Sequence, residues 1–447
     1  MPDLLPILAF DIFLLLACSL ALWRFGRLTA LHPAVIYLFF HVYVVTLRVI
    51  SLALGGAQTA PMLSLVTQDE MIRVTLSADV SLLVMTVAWL WVGRRDFLRH
   101  GPLPTPELKP PPDLDVRTIK QVALIILPIG LLGLFLNSYA VNNESILGDW
   151  QSSSYLIATA TWPILSVLML IYGYGFKWWL MVLLLVVLGL TVLDAPRYAF
   201  VVPVIFLCYT YLSQRGRHWF PIWMWLLLVT VGVLWFPLKQ IVSDVRSGDD
   251  VQSVVTGAVE YYQEAFETST GDTNFLDQAA SVMTLVDRRG DFYYGSAWAP
   301  YLVSPIPRQW WPDKPRLNEY LWEISTVDRP MSDIGMIPTL VGDSYVNFGY
   351  IGVVIVPFIV AFIYGAAHFH ALRRHHFSLA RLAYIVFASI LIQVYRDGVM
   401  AIFLFTFVNS MPFMFLIFWG WLRRRARLHQ SAVPADRSTT IAPVSRS

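Results

Sequence analysis

The chain has 447 residues, 57% of them hydrophobic and 14% charged, with a mean hydropathy of +0.59. That composition excludes a water-soluble protein of this length and points to a polytopic membrane protein. The formal net charge of +2 says little about partners, because such proteins sort charge by side of the membrane, and no nucleic-acid partner is expected.

The start, MPDLLPILAF, has no Lys or Arg before its apolar run, so it reads as a retained helix and not a cleaved leader. Apolar runs of about 17–24 residues, long enough to cross a bilayer, then recur with charged punctuation. They predict spans at Leu4–Trp23, Pro33–Leu54, Val74–Val92, Val122–Ala140, Tyr155–Gly173, Trp178–Leu193, Tyr198–Leu212 and Phe220–Pro237. After a long interruption come Tyr350–Leu372, Leu379–Val394 and Val399–Leu422. The fold class expected is therefore all-α and polytopic, with about 11 transmembrane helices and one large external loop holding short amphipathic helices. Its parts are an N-terminal bundle over 1–237, the loop over 238–349, a C-terminal bundle over 350–422 and a disordered tail over 423–447.

Short loops rich in Lys and Arg fix the orientation. Arg24 and Arg27, the run from Arg94 to Lys120, Lys177, Arg215 and Arg217, Arg373 and Arg374, and Arg423 to Arg427 all fall on one face by parity. That face is expected to be cytoplasmic, with the C-terminus inside and the long loop outside. Gly101–Pro112 is proline-dense and reads as a linker. Within the external loop, Val251–Phe266 and Phe275–Val286 show helical spacing of apolar residues.

Several residues stand out as chemistry. Ser304–Gly352 gathers Arg308, Lys314, Arg316 and Asp343 among Pro and Trp, in a chain that is otherwise mostly hydrocarbon. Trp298, Trp310 and Trp311 suit either interface anchoring or sugar stacking. Arg197 and Arg396 are cations on the side that the topology rule empties of them. Each asks for an anion, either its neighbour Asp194 or Asp397, or a phosphate held bidentately. His41 and Arg48 lie two turns apart on one face of the second span, about 10 Å by helical rise. Arg48 either snorkels to headgroups or binds an anion, and His41 is either a hydrogen-bonded structural residue or a catalytic one. Asp11 and Asp79 are intramembrane acids expected to pair locally. Cys18 and Cys208 lie in apolar runs, and His368, His370, His375 and His376 lack the company of a metal site. Asp113 and Asp115 have the spacing of a metal-binding acid pair, but they fall on the cytoplasmic linker. No GxxxxGK[ST], G-x-S-x-G or HExxH motif occurs. No metal and no cofactor is expected.

An ordered set of motifs resembles the oligosaccharide repeat-unit polymerases of bacterial surface polysaccharide synthesis, the Wzy-type O-antigen polymerases. Arg197 opens an outer helix turn. Ile306-Pro307-Arg308 is followed by Trp311-Pro312-x-Lys314-Pro315. Asp343 then precedes Tyr345 by two residues and Asn347-Phe348-Gly349-x-x-Gly352 by four, and Arg396 precedes the last span. The resemblance covers roughly Asp194 to Asn409. It departs from the family in having Asp where Glu is usual and in an odd number of spans.

The resemblance implies a GT-C-like membrane glycosyltransferase of the bacterial inner membrane, with its large loop periplasmic. Donor and acceptor would be undecaprenyl-diphosphate-linked oligosaccharides, and a chain-length regulator and a flippase would be partners. Arg197, Arg308 and Arg396, with Lys314 and Arg48, would hold the departing diphosphate without a metal. Asp343 would be the base for the acceptor hydroxyl, with Glu264 and Glu267 in reserve, and Trp311 and Tyr345 would line the sugar path. The alternatives are an O-antigen ligase-type transferase and a lipid-linked sugar transporter.

Overall fold

A computed structural model of the chain describes residues 4–54, 66–103, 113–142, 154–192, 198–226, 275–303, 306, 310–315, 320, 337–399 and 410–432. The described residues are helical, with no strand among them. In chain order the helices are α1 Leu5–Phe25, α2 Pro33–Ala53, α3 Gln68–His100, α4 Asp113–Asn142, α5 Ser154–Tyr174, α6 Trp178–Val192 and α7 Tyr198–Arg215. After them come α8 Phe275–Arg289, α9 Ala299–Leu302, α10 Thr339–Leu372, α11 Leu379–Ser389, α12 Leu391–Asp397 and α13 Met411–Ala432.

Among the described residues, six stretches are long and apolar enough to cross a membrane: α1, α2, α3, Val116–Leu136, α10 and Leu379–Asp397. Thr159–Tyr174, Trp178–Thr191 and Met414–Arg423 are shorter apolar helices. The chain is thus a helical, membrane-embedded protein. The expected spans Phe220–Pro237 and Val399–Leu422 lie partly outside the described residues, as does all of the expected external helix Val251–Phe266.

Several helix boundaries differ from the hydropathy reading; α4 begins at Asp113 and not Val122, which puts Asp113 and Asp115 on a helix and not on the linker. α3 begins at Gln68, six residues before the expected Val74. A reciprocal cap ahead of its polar first turn explains this: Thr67 Oγ1 accepts from the Glu70 amide at 3.3 Å and Glu70 Oε2 from the Thr67 amide at 2.5 Å. α10 begins at Thr339 and not Tyr350, so the Asp343 motif sits on a helix. Within the helix Ser344 Oγ donates to the Leu340 carbonyl at 2.6 Å and Asn347 Nδ2 to the Asp343 carbonyl at 2.9 Å. α13 continues through 423–432, where Arg, Ala, Leu and Gln favour helix, so these residues are helix where a disordered tail is expected; the rest of that expected tail lies outside the described residues.

α10 is broken at Phe348 and Gly349. Gly349 has φ +59, and a Cβ added at Gly352 would fall 2.1 Å from the Ser344 carbonyl oxygen. The two glycines of Asn-Phe-Gly-x-x-Gly therefore supply a positive φ and a close backbone approach, both of which a side chain would block. α2 carries a π-helical turn at Val42–Thr46, immediately after His41.

The basic loops meet at one end of the bundle. Arg373 donates to both carboxylate oxygens of Asp96 and to the Gly101 carbonyl. The Ala30 amide donates to the His218 carbonyl at 2.8 Å, and Tyr172 Oη to the His376 carbonyl at 2.7 Å. Arg27 lies over Phe97 and Lys120 over Tyr174. Burial, then Arg381 and His375, pushes the His376 imidazole down to about 4, so it sits there neutral.

Candidate functional site

At the opposite end α8 gathers three helices. Its sequence FLDQAASVMTLVDRR mixes small and apolar residues, and from Phe275 to Val286 every residue but Gln278 is buried, so the helix is enclosed all round. Asp277 lies in its first turn and accepts from Arg48 of α2, with Nε at 2.9 Å and Nη2 at 2.8 Å from Oδ2. Phe275 lies under the Arg396 guanidinium, 5.4 Å from ring centroid to Cζ. At the far end of α8, Asp287 pairs with Arg73 of α3 and accepts from Tyr345 Oη at 2.6 Å.

Asp343 is the centre of a second knot. Its carboxylate is 1% exposed, accepts from Trp298 Nε1 at 3.0 Å through Oδ1, and accepts from the Val399 amide at 2.9 Å through Oδ2. Gly398 has φ +86, and a Cβ there would stand 2.6 Å from the Asp343 side chain. Only glycine lets the Tyr395–Val399 turn close on this acid. Asn347, one helical turn on, accepts from the Gly295 amide at 3.0 Å through Oδ1, and its carbonyl accepts from the Tyr294 amide at 2.8 Å. The motif thus ties the 293–299 segment and the Tyr395–Val399 turn to α10.

A third cluster lies inside the spans. α1 buries only Asp11, Cys18 and Leu22, so its single acid points into the bundle. There His41 Nε2 lies 2.7 Å from Asp11 Oδ1 and 3.5 Å from Asp79 Oδ1. The ligand atoms of these three residues lie within 4.8 Å of one another. A small apolar cavity beside His41 reaches Leu276 of α8 and Thr339, Leu340 and Val341 of α10.

Of the residues expected at the site, Asp343, Tyr345, Arg396 and Arg48 come together around α8 and the 398–399 turn. The anion that Arg48 holds is the chain's own Asp277, where the sequence offered lipid headgroups or a bound anion. Trp311 is 40% exposed and Lys314 Nζ donates to the Ile306 carbonyl at 2.8 Å, both on a short turn. Arg197, Arg308, Glu264 and Glu267 lie outside the described residues. Sequence reasoning passes over Arg73, although the rule applied to Arg197 and Arg396, a cation on the side depleted of them, finds it equally. Asp277 carries no signal of its own, since an acid in a helix's first turn is ordinary.

No protein-family model matches the chain, and no curated protein or solved structure matches it.

Proposed function

We propose that the chain is a membrane glycosyltransferase of GT-C-like architecture with about eleven spans. It joins undecaprenyl-diphosphate-linked oligosaccharide repeat units on the periplasmic face of the bacterial inner membrane. The observation that carries this reading is the contact between the Asp343 carboxylate and the Val399 amide at 2.9 Å. It brings the Asp-x-Tyr-x-Asn-Phe-Gly motif against the turn that bears Arg396, at the end of the bundle away from the basic loops.

In this reading Arg396, with Arg197, Arg308 and Lys314, neutralises the diphosphate as the anomeric carbon–oxygen bond breaks. Guanidiniums suit that task because they remain charged and bind phosphate through two parallel donors. Asp343 is assigned a positioning part. Trp298 and Val399 each occupy one of its carboxylate oxygens, and the side chain is closed in on all sides, so deprotonation of the acceptor hydroxyl falls to Glu264 or Glu267. Arg48 acts through Asp277 by seating α8 beneath Arg396. Pro307, Pro312 and Pro315 limit the freedom of the segment carrying Arg308.

The test is chain length of the polymer made in cells. Arg396→Ala should leave single repeat units and abolish long polymer. Asp343→Ala should do the same, while Asp343→Asn, which keeps one acceptor oxygen, retains a shortened polymer. Normal chain length in Arg396→Ala rejects the reading, and complete loss in Asp343→Asn with a folded protein returns the base to Asp343.

A second reading, a lipid-linked sugar transporter, is favoured by the buried Asp11, His41 and Asp79, since transporters place ionisable groups within their spans. Polymerisation by the purified protein in detergent, where no second compartment exists, excludes transport as its sole activity.

A further inference from the structure

Asp11, His41 and Asp79 have no part in the transferase reading, and their chemistry is independent of it. They come from α1, α2 and α3, and each is 1% exposed or less. Two carboxylates in such a place bring two negative charges, and one imidazolium returns one positive. The groups facing them add no further charge of that sign: Cys18 from α1, Tyr37 and Thr46 from α2, and Ser81 and Thr86 from α3. α12 contributes Tyr395 packed on Tyr37 at 4.7 Å between centroids, and α8 and α10 approach with Leu276 and Thr339. The nearest guanidinium along α2, Arg48, is held by Asp277. The cluster is therefore one positive charge short, and a carboxylate left uncompensated in an apolar interior takes up a proton because its charged form is too costly to desolvate.

Two cations could close the deficit, and distance separates them. Ligand atoms at about 2.0–2.1 Å from a tetrahedral zinc stand about 3.3 Å from each other. His41 Nε2 and Asp11 Oδ1 are 2.7 Å apart, a hydrogen-bond length with room for a proton and no metal between them. Asp79 is left with the longer approach, its Oδ1 3.5 Å from the same Nε2. The Thr46 hydroxyl, on a residue 5% exposed, faces Asp11.

We propose that this trio is an intramembrane proton-binding site, in which Asp79 takes up one proton as a neutral acid while His41 and Asp11 share a charged hydrogen bond. Uptake converts the Asp79 carboxylate to a carboxylic acid and brings the cluster from a net charge of minus one to zero. A small cavity beside His41, walled by Val44, Ala78, Leu276 and Thr339, has the volume of about one water.

Infrared spectroscopy of the full-length protein in lipid nanodiscs at neutral pH tests this. A protonated-carboxyl band that shifts in deuterated water should lose one carboxyl equivalent in Asp79→Asn. Because an amide has the shape of the neutral acid, Asp79→Asn should keep the thermal midpoint of the parent, whereas Asp11→Asn should lower it. An unchanged band in Asp79→Asn overturns the proposal. So does equal destabilisation by the two variants, or failure of Asp79→Asn to fold, since the amide must be tolerated. One divalent metal ion per chain by elemental analysis overturns it in favour of a metal site.

Discussion

At the basic end of the bundle Arg373 grips Asp96 with side chains 17% and 10% exposed, and adds the Gly101 carbonyl at 2.8 Å. At the other end Arg48 meets Asp277 where each side chain is 1% exposed, and Asp343 is closed in as completely. Water reaches the first pair and can replace a lost partner, so its strength is that of a rim contact. The second pair has only itself to rely on, and losing one partner strands the other. Charge at the basic end sits at a rim that water reaches, and charge at the far end fixes how α2, α8, α10 and α12 stand against one another.

That contrast can be broken most forcefully at Asp277. Asp277→Ala leaves the Arg48 guanidinium buried and unpaired, and should cost about 3–5 kcal/mol, read as a lowered thermal midpoint in detergent. Replacing both partners, Arg48→Met with Asp277→Leu, should recover most of that loss. If the double variant is as unstable as the single one, the pair is not what matters there. A smaller effect is expected at Gly398. Alanine there adopts a left-handed backbone at about 1–3 kcal/mol and meets the Asp343 side chain, so both stability and polymer length should fall. Smallest is Arg373→Lys, which keeps the charge but loses the two-pronged grip on Asp96. It should cost about 0.5–1 kcal/mol with polymer length unchanged. A loss as large as that of Asp277→Ala would erase the distinction between the two ends.

Much of the fold is legible in the sequence because hydrocarbon demands it. Runs such as Leu5–Phe25 and Pro33–Ala53 can only be helices in a bilayer, and α8 announces itself by spacing at Phe275–Val286. The start of α10 is not legible, since Gly-Asp-Ser-Tyr-Val-Asn reads as loop by hydropathy until Trp298, Val399 and Gly295 are seen to satisfy its polar groups. In the candidate site, Arg396 and Asp343 are visible as charges out of place. Their meeting is not, because the contact spans 56 residues of chain between Asp343 and Val399. The same holds for Arg48 and Asp277, 229 positions apart. Asp11, His41 and Asp79 each stand out as ionisable groups in a span for which a local partner is expected; the helices give them one another.

The rupture in α10 has an outcome for which residues can change. The Val346 and Asn347 carbonyls beside it accept from the amides of Tyr293 and Tyr294 at 3.0 and 2.8 Å, so the neighbouring segment is stitched to the rod through main-chain atoms. The Tyr294 side chain is exposed and takes little part in the seam, whereas Tyr293 adds its ring against Tyr320 and Arg289. A residue lacking an N–H cannot stand at either place, and at Tyr294 the backbone, with φ +49, also disfavours β-branched residues.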